Sequence, residues 1–351
     1  MKPLEENSTY SFILGDCLSV LKDIDDESVD CIITSPPYWG MRAYDNEEDT
    51  REIGNEEKFE QYISKITAVF NEAKRVLKKD GSFWLNIGDK YVNKALLGMP
   101  WRVAISLMDS GWIMRNDVIW HQLKGTQSAK DRLRDSYEHV FHFVKSKKYY
   151  YDADAIRIKP SKMPTVSEKG TTSSTGVSGK KYRKQIRESE VLTEQEKINA
   201  EKALDDTLAE IRAGLVNDFR MTIRGVQRTW HSNNIKISGR AKELINRGFY
   251  IMKMYSKGHL PNDVWNIVTE DTWRTDTHCA VYPEELLRIP ILATCPEGGI
   301  VLDPFSGTGT TVAAALKLDR RAVGIDLSPK YIKTSQNRIS NIGTLFYKKN
   351  R

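Results

Sequence analysis

Two short apolar segments, far apart in the chain, each run directly into a loop whose residues restrict the backbone. The first segment, Val29–Thr34, continues into Ser-Pro-Pro-Tyr-Trp at residues 35–39. The second, Ile300–Leu302, continues into Asp-Pro-Phe-Ser-Gly-Thr-Gly-Thr-Thr at residues 303–311. Strands that are apolar along most of their length are typical of a parallel sheet covered by helices on both faces. The two segments therefore predict an α/β fold with specialised loops at one edge of its sheet.

The segments around these strands alternate between strand and helix patterns. Apolar residues recur at helical spacing over Phe59–Leu77, and the pattern stops at the Gly-containing turn Lys78–Gly81. Further predicted strands are 11–14, 82–87, 112–120, 139–144 and 322–325, and further predicted helices are 100–110, 283–292 and 310–318. Strands separated by helices of this length predict a doubly wound α/β domain.

The middle of the chain has a different composition. Residues 159–260 carry 20 Lys and Arg against 11 Asp and Glu, a net charge of +9, whereas the whole chain has a net charge of +6. This excess is expected for a region that faces phosphates, although a solvated insertion would have the same composition. Within it, Ser161–Lys181 predicts a mobile loop and Thr193–Leu215 a charged amphipathic helix. We therefore predict that a basic insertion at 159–260 interrupts one α/β domain made of residues 1–158 and 261–351.

Cysteine spacing and hydropathy bound the compartment and the kind of site. The four cysteines (Cys17, Cys31, Cys279 and Cys295) are not spaced as zinc ligands, so no metal site is expected. No apolar run approaches the roughly 20 residues that cross a membrane, and the first residues lack the apolar core of a signal peptide. We expect a cytoplasmic protein with reduced thiols and no membrane contact.

The second loop has the features of a nucleotide-binding turn. Gly307 and Gly309 allow a sharp turn and a close approach to a ligand, while Asp303 at the strand end can accept hydrogen bonds from an amine. Further on, the next predicted strand ends at Asp326, a position that typically holds ribose hydroxyls. A phosphate-binding P-loop would have Lys where Thr310 stands. A ligand with adenosine and an amino-acid tail suits these residues, and S-adenosylmethionine is such a ligand.

The first loop is suited to holding an amino group. Two consecutive prolines remove two N–H donors and fix the backbone, which leaves carbonyls and the Ser35 hydroxyl as acceptors. Such acceptors bind the two hydrogens of an exocyclic amine and direct its nitrogen lone pair. Tyr38 offers a flat face on which a planar ring stacks. The alternative is an ordinary Pro-Pro turn with a packed aromatic ring, and the presence of the second loop argues against it.

These motifs resemble those of amino-group DNA methyltransferases. Ser35–Tyr38 resembles their catalytic motif, and Asp303–Thr311 resembles their S-adenosylmethionine motif. The catalytic loop comes first, as in the β subgroup, where the target-recognition region lies between the two motifs. Further segments resemble the family in the same order: Gly15–Cys17, Gly81–Asn86, Asp263–Trp265, His278 and Tyr282–Leu286. The resemblance implies a Rossmann-like S-adenosylmethionine-dependent methyltransferase domain in circularly permuted order. Residues 1–158 would be its catalytic half, 159–260 an inserted target-recognition domain and 261–351 its cofactor-binding half.

The resemblance also implies roles for single residues. Asp303 would bind the methionine amine, Asp326 the ribose and Asp16 the adenine of the cofactor. The expected catalytic residues are Ser35, Pro36, Pro37 and Tyr38, of which Ser35, the Pro36 carbonyl and Tyr38 would hold the target base. The other expected cofactor-binding residues are His278, Tyr282, Pro283, Phe305, Ser306, Gly307, Thr308, Gly309 and Thr310. In the insertion, the expected DNA-binding residues are Arg220, Arg224, Arg228, Lys236 and Arg240.

The implied activity is methylation of the exocyclic amine of a flipped-out base in duplex DNA, in a restriction–modification or epigenetic system. Ser at the first motif position resembles the N4-cytosine enzymes more often than the N6-adenine enzymes. We therefore expect N4 of cytosine as the target, with N6 of adenine as the alternative. Duplex DNA is the expected partner, while a cognate restriction endonuclease and a second copy of the chain are open alternatives.

Two other functions are compatible with parts of the sequence. A DNA-binding protein that has lost catalysis would be expected to carry a broken motif, whereas both loops are complete here. A methyltransferase acting on a protein amide or a small amine can use a similar Pro-Pro-Tyr loop. The permuted motif order and the +9 insertion favour DNA over those substrates.

Overall fold

We describe the fold from a computed structural model, and the described residues are 2–5, 8–40, 52–123, 130–168, 170–226, 239–269 and 282–349. The chain divides into two compact units. The first consists of Met1–Ile156 and Asn262–Arg351, and the second is Arg157–Pro261. These bounds lie within two residues of those expected for the insertion.

The described residues form the following elements. The strands are β1 (Tyr10–Leu14), β2 (Val29–Thr34), β3 (Leu77–Ile87), β4 (Tyr91–Val92), β5 (Ala95–Leu96), β6 (Ile113–Gln122), β7 (Tyr137–Val144), β8 (Thr165–Ser167), β9 (Gly170–Thr172), β10 (Val216–Ile223), β11 (Phe249–Tyr255), β12 (Val264–Ile267), β13 (Ile300–Asp303) and β14 (Arg321–Asp326). The helices are α1 (Cys17–Asp23), α2 (Phe59–Val76), α3 (Met99–Asp109), α4 (Lys180–Arg187), α5 (Glu194–Arg212), α6 (Gly239–Arg247), α7 (Glu284–Thr294), α8 (Thr310–Lys317) and α9 (Pro329–Lys349).

The first unit is built on one large sheet. Its strand order in the described residues is β1-β14-β13-β2-β3-β7-β6-β12. Neighbouring strands pair in parallel except for β7, which is antiparallel to both β3 and β6. The carboxyl ends of the parallel strands therefore meet at one edge of the sheet, and the amino end of β7 lies at that same edge. This edge carries the two loops that the sequence singles out.

Helices cover both faces of the sheet. Successive side chains of a strand point to opposite faces, so Ile32 and Phe83 pack with α1, α2 and α3, whereas Cys31 and Trp84 pack with α7 and α8. All six residues of β2 are buried, which accounts for its nearly continuous apolar sequence. The predicted α/β fold with a sheet between two helix layers is confirmed.

The end of α2 differs from the prediction. The helix stops at Val76 and β3 begins at Leu77, so Gly81 lies within a strand and does not end the helix. A Cβ at Gly81 would lie 2.6 Å from the Leu77 Cδ1 atom and 2.8 Å from the Asp30 carbonyl oxygen. This glycine therefore permits a close approach of β3 to β2, and the sequence pattern of a helix stop arises from that requirement.

The second unit has its own hydrophobic core. Helices α4 and α5 pack with the antiparallel pair of strands β10 and β11, and Ile186, Leu204 and Phe219 belong to that core. The segment expected as a mobile loop instead contains the hairpin of β8 and β9 and the start of α4. Ser173 in this segment is buried, and Thr175 Oγ1 donates to Asp218 Oδ2 at 2.8 Å. These contacts hold a segment whose composition alone suggests mobility.

None of the helices in the described part of the chain combines the length and hydropathy needed to cross a membrane.

Candidate active site

The Ser-Pro-Pro-Tyr loop begins where β2 ends. Pro36 is buried, while Ser35, Pro37 and Tyr38 are partly exposed. The Pro37 carbonyl accepts a hydrogen bond from the hydroxyl of Tyr62 in α2 at 2.9 Å, which fixes the loop against the helix layer. Ser35 Oγ donates to the hydroxyl oxygen of Tyr38 at 3.3 Å. The structure therefore brings the expected catalytic residues together at the carboxyl edge of the sheet.

Three strands supply partners for Tyr38 and its neighbours. The Tyr38 hydroxyl donates to Glu138 Oε2, at the start of β7, at 2.7 Å. Asn86, near the end of β3, donates to the same oxygen at 3.1 Å, and Gln122, at the end of β6, donates to Glu138 Oε1 at 3.0 Å. Gly88 leaves room for the ring, because a Cβ there would lie 2.9 Å from Tyr38 Cε2. Tyr38 is thus fixed by contacts at both its hydroxyl and its ring edge.

Glu138 and Gln122 are site residues that the sequence interpretation missed. A single acid at the start of a strand usually faces solvent, so Glu138 carried no distinguishing signal. The available hint was that it directly precedes the predicted strand 139–144, four of whose six residues are Val or Phe. Its partners come from segments 16 to 100 residues away, as the separations of its hydrogen-bonded pairs show.

Burial changes the ionisation of this group of residues. Desolvation raises the pKa of Glu138, and the hydrogen bonds from Tyr38, Asn86 and Gln122 oppose that rise. Burial and the nearby charge of Glu138 raise the pKa of Tyr38 well above its usual value, so this side chain is a neutral phenol and a donor at neutral pH. Burial also raises the pKa of Cys31, inside β2, to about 12, so this cysteine is a core thiol and not a nucleophile.

The Gly-rich loop connects β13 to α8 beside the first loop. Strand β13 pairs with β2, with Leu302 opposite Ile32, so both loops leave neighbouring strands at the same edge. Gly307 and Gly309 have φ angles of +51° and +76°, which side-chain-bearing residues adopt only with strain. A Cβ at Gly309 would also lie 3.0 Å from Ser335. Both glycines therefore shape the loop by their conformation, and Gly309 does so also by close packing.

The carboxylate of Asp303 connects the two loops. Its Oδ1 accepts from Thr34 Oγ1 at 2.6 Å and from the Phe305 backbone N–H at 3.0 Å. Its Oδ2 accepts from Thr311 Oγ1 at 2.5 Å and from the Tyr282 hydroxyl at 3.1 Å. Asp303 is 1% exposed, and this burial raises its pKa although the four donors oppose the rise. The expected cofactor residue Tyr282 thus lies beside the expected cofactor loop.

The three acids expected to bind the cofactor follow three neighbouring strands, β13, β14 and β1. Asp326, which ends β14, accepts from the Gly307 N–H at 2.8 Å and from the Ser328 N–H at 2.9 Å. Asp16 follows β1 and caps α1, where its Oδ1 accepts from the Ser19 N–H at 2.9 Å. The acids therefore form a row along the sheet edge, in the order expected for the amine, the ribose and the adenine.

The Gly-rich loop also contains buried polar groups without a hydrogen-bond partner in the described part of the chain. Ser306 Oγ and Thr308 Oγ1 are buried and have no hydrogen-bond partner among the described residues. Thr310 Oγ1, in contrast, accepts from Arg338 at 2.8 Å. Unsatisfied hydroxyls, a row of acids and the absence of a P-loop lysine suit a polar nucleoside ligand with a cationic tail better than a polyphosphate. The residues present therefore fit S-adenosylmethionine.

Four further expected site residues lie either next to the site or outside the described residues. Pro283 is the N-cap residue of α7, next to Tyr282. His278, Arg228 and Lys236 lie outside the described residues.

The basic residues of the second unit differ in their surroundings. Arg220 in β10 and Arg240 in α6 are exposed. Arg224 instead donates to both carboxylate oxygens of Glu196, at 2.7 and 2.9 Å, and to the Ile245 carbonyl at 2.8 Å. These bonds engage its guanidinium within the unit and give Arg224 a structural role there, while its contact with DNA stays a prediction.

The chain is similar to known proteins over most of its length. A family model described as DNA methylase matches residues 29–337. Type II methyltransferase M.Cfr9I of Citrobacter freundii is 30% identical over 373 residues, which cover 98% of this chain and 91% of that protein.

Two solved structures share the fold. PvuII DNA methyltransferase, a cytosine-N4-specific enzyme, has a TM-score of 0.56 at 18% identity, over 94% of this chain and 86% of that one. TTHA0409 of Thermus thermophilus, solved in complex with S-adenosyl-L-methionine, has a TM-score of 0.51 at 19% identity, over 95% and 93% of the two chains.

Proposed function

Because the chain belongs to the DNA methylase family of N4/N6 amino-methyltransferases, we propose that it methylates N4 of a flipped-out cytosine in duplex DNA with S-adenosyl-L-methionine as cofactor. The observation that carries the proposal is the pairing of β13 with β2, which places the Ser-Pro-Pro-Tyr loop and the Gly-rich loop side by side. Thr34, the last residue before the first loop, donates a hydrogen bond to Asp303, the first residue of the second loop. A group held by one loop is therefore adjacent to a ligand held by the other.

The first loop would bind and orient the amine. Ser35 Oγ donates its own hydrogen to Tyr38, which leaves its lone pairs free to accept an N–H of the target. The Pro36 carbonyl would accept the second N–H, and the Tyr38 ring would stack on the base. Two fixed acceptors keep the nitrogen lone pair from delocalising into the ring. Because both are held before the substrate arrives, little reorganisation is needed during the reaction.

The second loop and the row of acids would hold the cofactor. When bound, S-adenosyl-L-methionine supplies a methyl group on a positively charged sulfur. Asp16 and Asp326 would accept hydrogen bonds from its adenosine part. Asp303 would attract its methionine amine through the negative charge that Thr34 and the other donors stabilise. Catalysis then rests on position and preorganised dipoles, and the pKa of Cys31 agrees with a reaction that uses no cysteine nucleophile.

Duplex DNA would be bound with the help of the basic second unit. A base inside a duplex is stacked and paired, so it must leave the helix before its amine reaches the loop. Exposed Arg220 and Arg240 are proposed to contact phosphates or base edges, and Arg228 and Lys236 remain predicted contacts. The choice of cytosine is supported by Ser35, as the resemblance implies, and N6 of adenine is the alternative.

A methyl-transfer assay tests both the activity and the base. The protein is incubated with duplex DNA and a cofactor carrying a deuterated methyl group, and the DNA is digested to nucleosides for mass spectrometry. We expect labelled N4-methylcytosine, and we expect Ser35→Ala to lose most of the activity while cofactor binding is retained. Labelled N6-methyladenine would replace the proposed base. Transfer to protein but not to DNA would overturn the proposed substrate class.

The biological partners are further proposals. M.Cfr9I is named as a type II methyltransferase, so we propose that a restriction endonuclease of the same sequence specificity accompanies this chain. Protection of methylated DNA against a set of restriction nucleases would identify the recognition sequence that such a nuclease shares with this chain. A homodimer and a cytoplasmic location stay predictions, and light scattering after gel filtration tests the first.

A further inference from the structure

The hydrogen bonds around Tyr38 form a directed chain that starts at the proposed catalytic loop. Ser35 Oγ donates to the Tyr38 oxygen at 3.3 Å, and the Tyr38 hydroxyl donates to Glu138 Oε2 at 2.7 Å. Both bonds are donated in the same direction, from Ser35 toward Glu138. At the far end is the only carboxylate among the described partners of Tyr38.

The reaction requires a proton to leave the site. The nitrogen lone pair forms the new N–C bond, the C–S bond breaks, and its electron pair stays on sulfur, which becomes a neutral thioether. The methylated nitrogen then carries a positive charge until one N–H proton leaves. Ser35 and the two prolines offer the amine no basic group.

We propose that Glu138 receives this proton through the hydroxyl groups of Ser35 and Tyr38. The amine gives a proton to Ser35 Oγ, Ser35 gives its own proton to the Tyr38 oxygen, and Tyr38 gives its own to Glu138 Oε2. Each hydroxyl ends with the number of protons it had at the start, and the carboxylate becomes a carboxylic acid. This inference rests on the proposed function and adds a residue that acts on the amine through two others.

The surroundings of Glu138 suit this role. Asn86 and Gln122 donate to its two oxygens, so they hold the carboxylate in place without neutralising it. Desolvation raises the pKa of Glu138, which makes it a stronger base than an exposed glutamate. It reaches the loop because β7 runs against its neighbours, so the first residues of β7 lie where β3 and β6 end.

A second ionisable pair, between β7 and β6, provides a matched control. His139 follows Glu138 in β7, and its Nδ1 lies 2.8 Å from Asp117 Oδ1 in β6. Asp117→Asn removes a carboxylate from the same two strands without touching Tyr38. Glu138→Gln keeps the shape and the hydrogen-bonding capacity of the side chain but removes the base. Tyr38→Phe keeps the ring and breaks the chain of hydroxyls.

Single-turnover methyl transfer to duplex DNA is measured for the wild type and these variants, together with the affinities for DNA and cofactor. We expect Glu138→Gln and Tyr38→Phe each to slow transfer by about 100-fold with both affinities retained, and Asp117→Asn to stay within about threefold of the wild type. Combining Glu138→Gln with Tyr38→Phe should slow transfer no more than either change alone, because both break one chain.

The pH dependence separates proton transfer from simple positioning. Transfer by the wild type and by Asp117→Asn should slow at acid pH as Glu138 becomes protonated, whereas Glu138→Gln should lack this dependence. If Glu138→Gln does not fold, Tyr38→Phe decides, since it leaves the carboxylate in place. Wild-type rates for either variant, or effects that multiply in the double variant, would overturn the relay. A wild-type protein without activity on any DNA would instead remove the proposed function.

Discussion

Replacing Thr34 with Val tests the contact that joins the two loops. Valine has nearly the shape of threonine but lacks the hydroxyl that donates to Asp303 at 2.6 Å. Asp303 is 1% exposed, so water does not replace the lost donor. A hydrogen bond to a buried charged group contributes about 2 kcal/mol, which corresponds to roughly a 30-fold change in the ratio of folded to unfolded protein. We therefore expect Thr34→Val to lower the free energy of unfolding of the first unit by about 2 kcal/mol at neutral pH.

A second threonine provides the control. Thr67 Oγ1 lies 2.9 Å from Ser106 Oγ, so Thr67→Val removes a hydrogen bond between two neutral groups. Such a bond contributes about 1 kcal/mol or less. Urea unfolding followed by tryptophan fluorescence gives the free energies of the wild type and both variants. The difference between the variants isolates the contribution of the Asp303 charge.

The pH dependence gives the sign of the effect. Burial raises the pKa of Asp303 above its ordinary 3.8, so the folded protein binds this proton more tightly than the unfolded chain does. The ionised carboxylate therefore costs stability at neutral pH, and the Thr34 hydroxyl offsets part of that cost. As the pH falls through the raised pKa, Asp303 becomes neutral and the hydroxyl matters less. The penalty of Thr34→Val should shrink toward about 1 kcal/mol.

Two results would refute this reasoning. A penalty for Thr34→Val no larger than that for Thr67→Val at neutral pH would mean that the hydroxyl does not stabilise a buried charge. A penalty that stays constant as the pH falls would mean that Asp303 does not change its ionisation in this range. Either result would also remove the electrostatic basis for assigning the cofactor amine to Asp303.

Three other changes have defined outcomes. Gly88→Ala places a Cβ 2.9 Å from the Tyr38 ring, so methyl transfer should fall roughly 10- to 100-fold in a single-turnover assay. Gly239→Ala should have no effect, because no described atom would lie within 4 Å of its Cβ. Arg224→Met removes the hydrogen bonds to Glu196 and should lower the free energy of unfolding by about 1 to 2 kcal/mol in a urea titration. Unchanged stability would contradict the structural role of Arg224. Arg220→Gln should weaken DNA binding measured by fluorescence anisotropy. The magnitude of the slope of log affinity against log salt concentration should fall by about one. An unchanged slope would place Arg220 away from phosphates.

Much of the fold and of the site followed from local sequence. The apolar residues of β2 predicted a strand buried on both faces, because only a covered parallel sheet accommodates such a sequence. The glycines of the second loop predicted a tight turn, because positive φ angles are accessible mainly to glycine. The acids at 16, 303 and 326 could be assigned to one sheet edge, because each follows a predicted strand. The DNA methylase family to which the chain belongs agrees with the α/β fold and the cofactor loop that these local patterns predict.

Local sequence failed where the role of a residue depends on a distant partner. Gly81 has the sequence appearance of a helix stop, yet its role is set by the Asp30 carbonyl of the neighbouring strand. Arg224 is one of many basic residues in its segment, and only the fold brings it to Glu196. The segment 161–181 has a mobile composition, but its bonds to β10 hold it in place.

The sequence by itself determined the two loops, the buried strands before them and the kind of groups each loop can hold. Those features depend on backbone conformation and on periodicity, which neighbouring residues control. Only the tertiary structure decided that β2 and β13 pair, that Thr34 bonds to Asp303, and that the reversed strand β7 brings Glu138 to Tyr38. The reason is physical: burial and hydrogen-bond partners set the ionisation of a side chain, and at this site those partners come from up to 269 residues away along the chain.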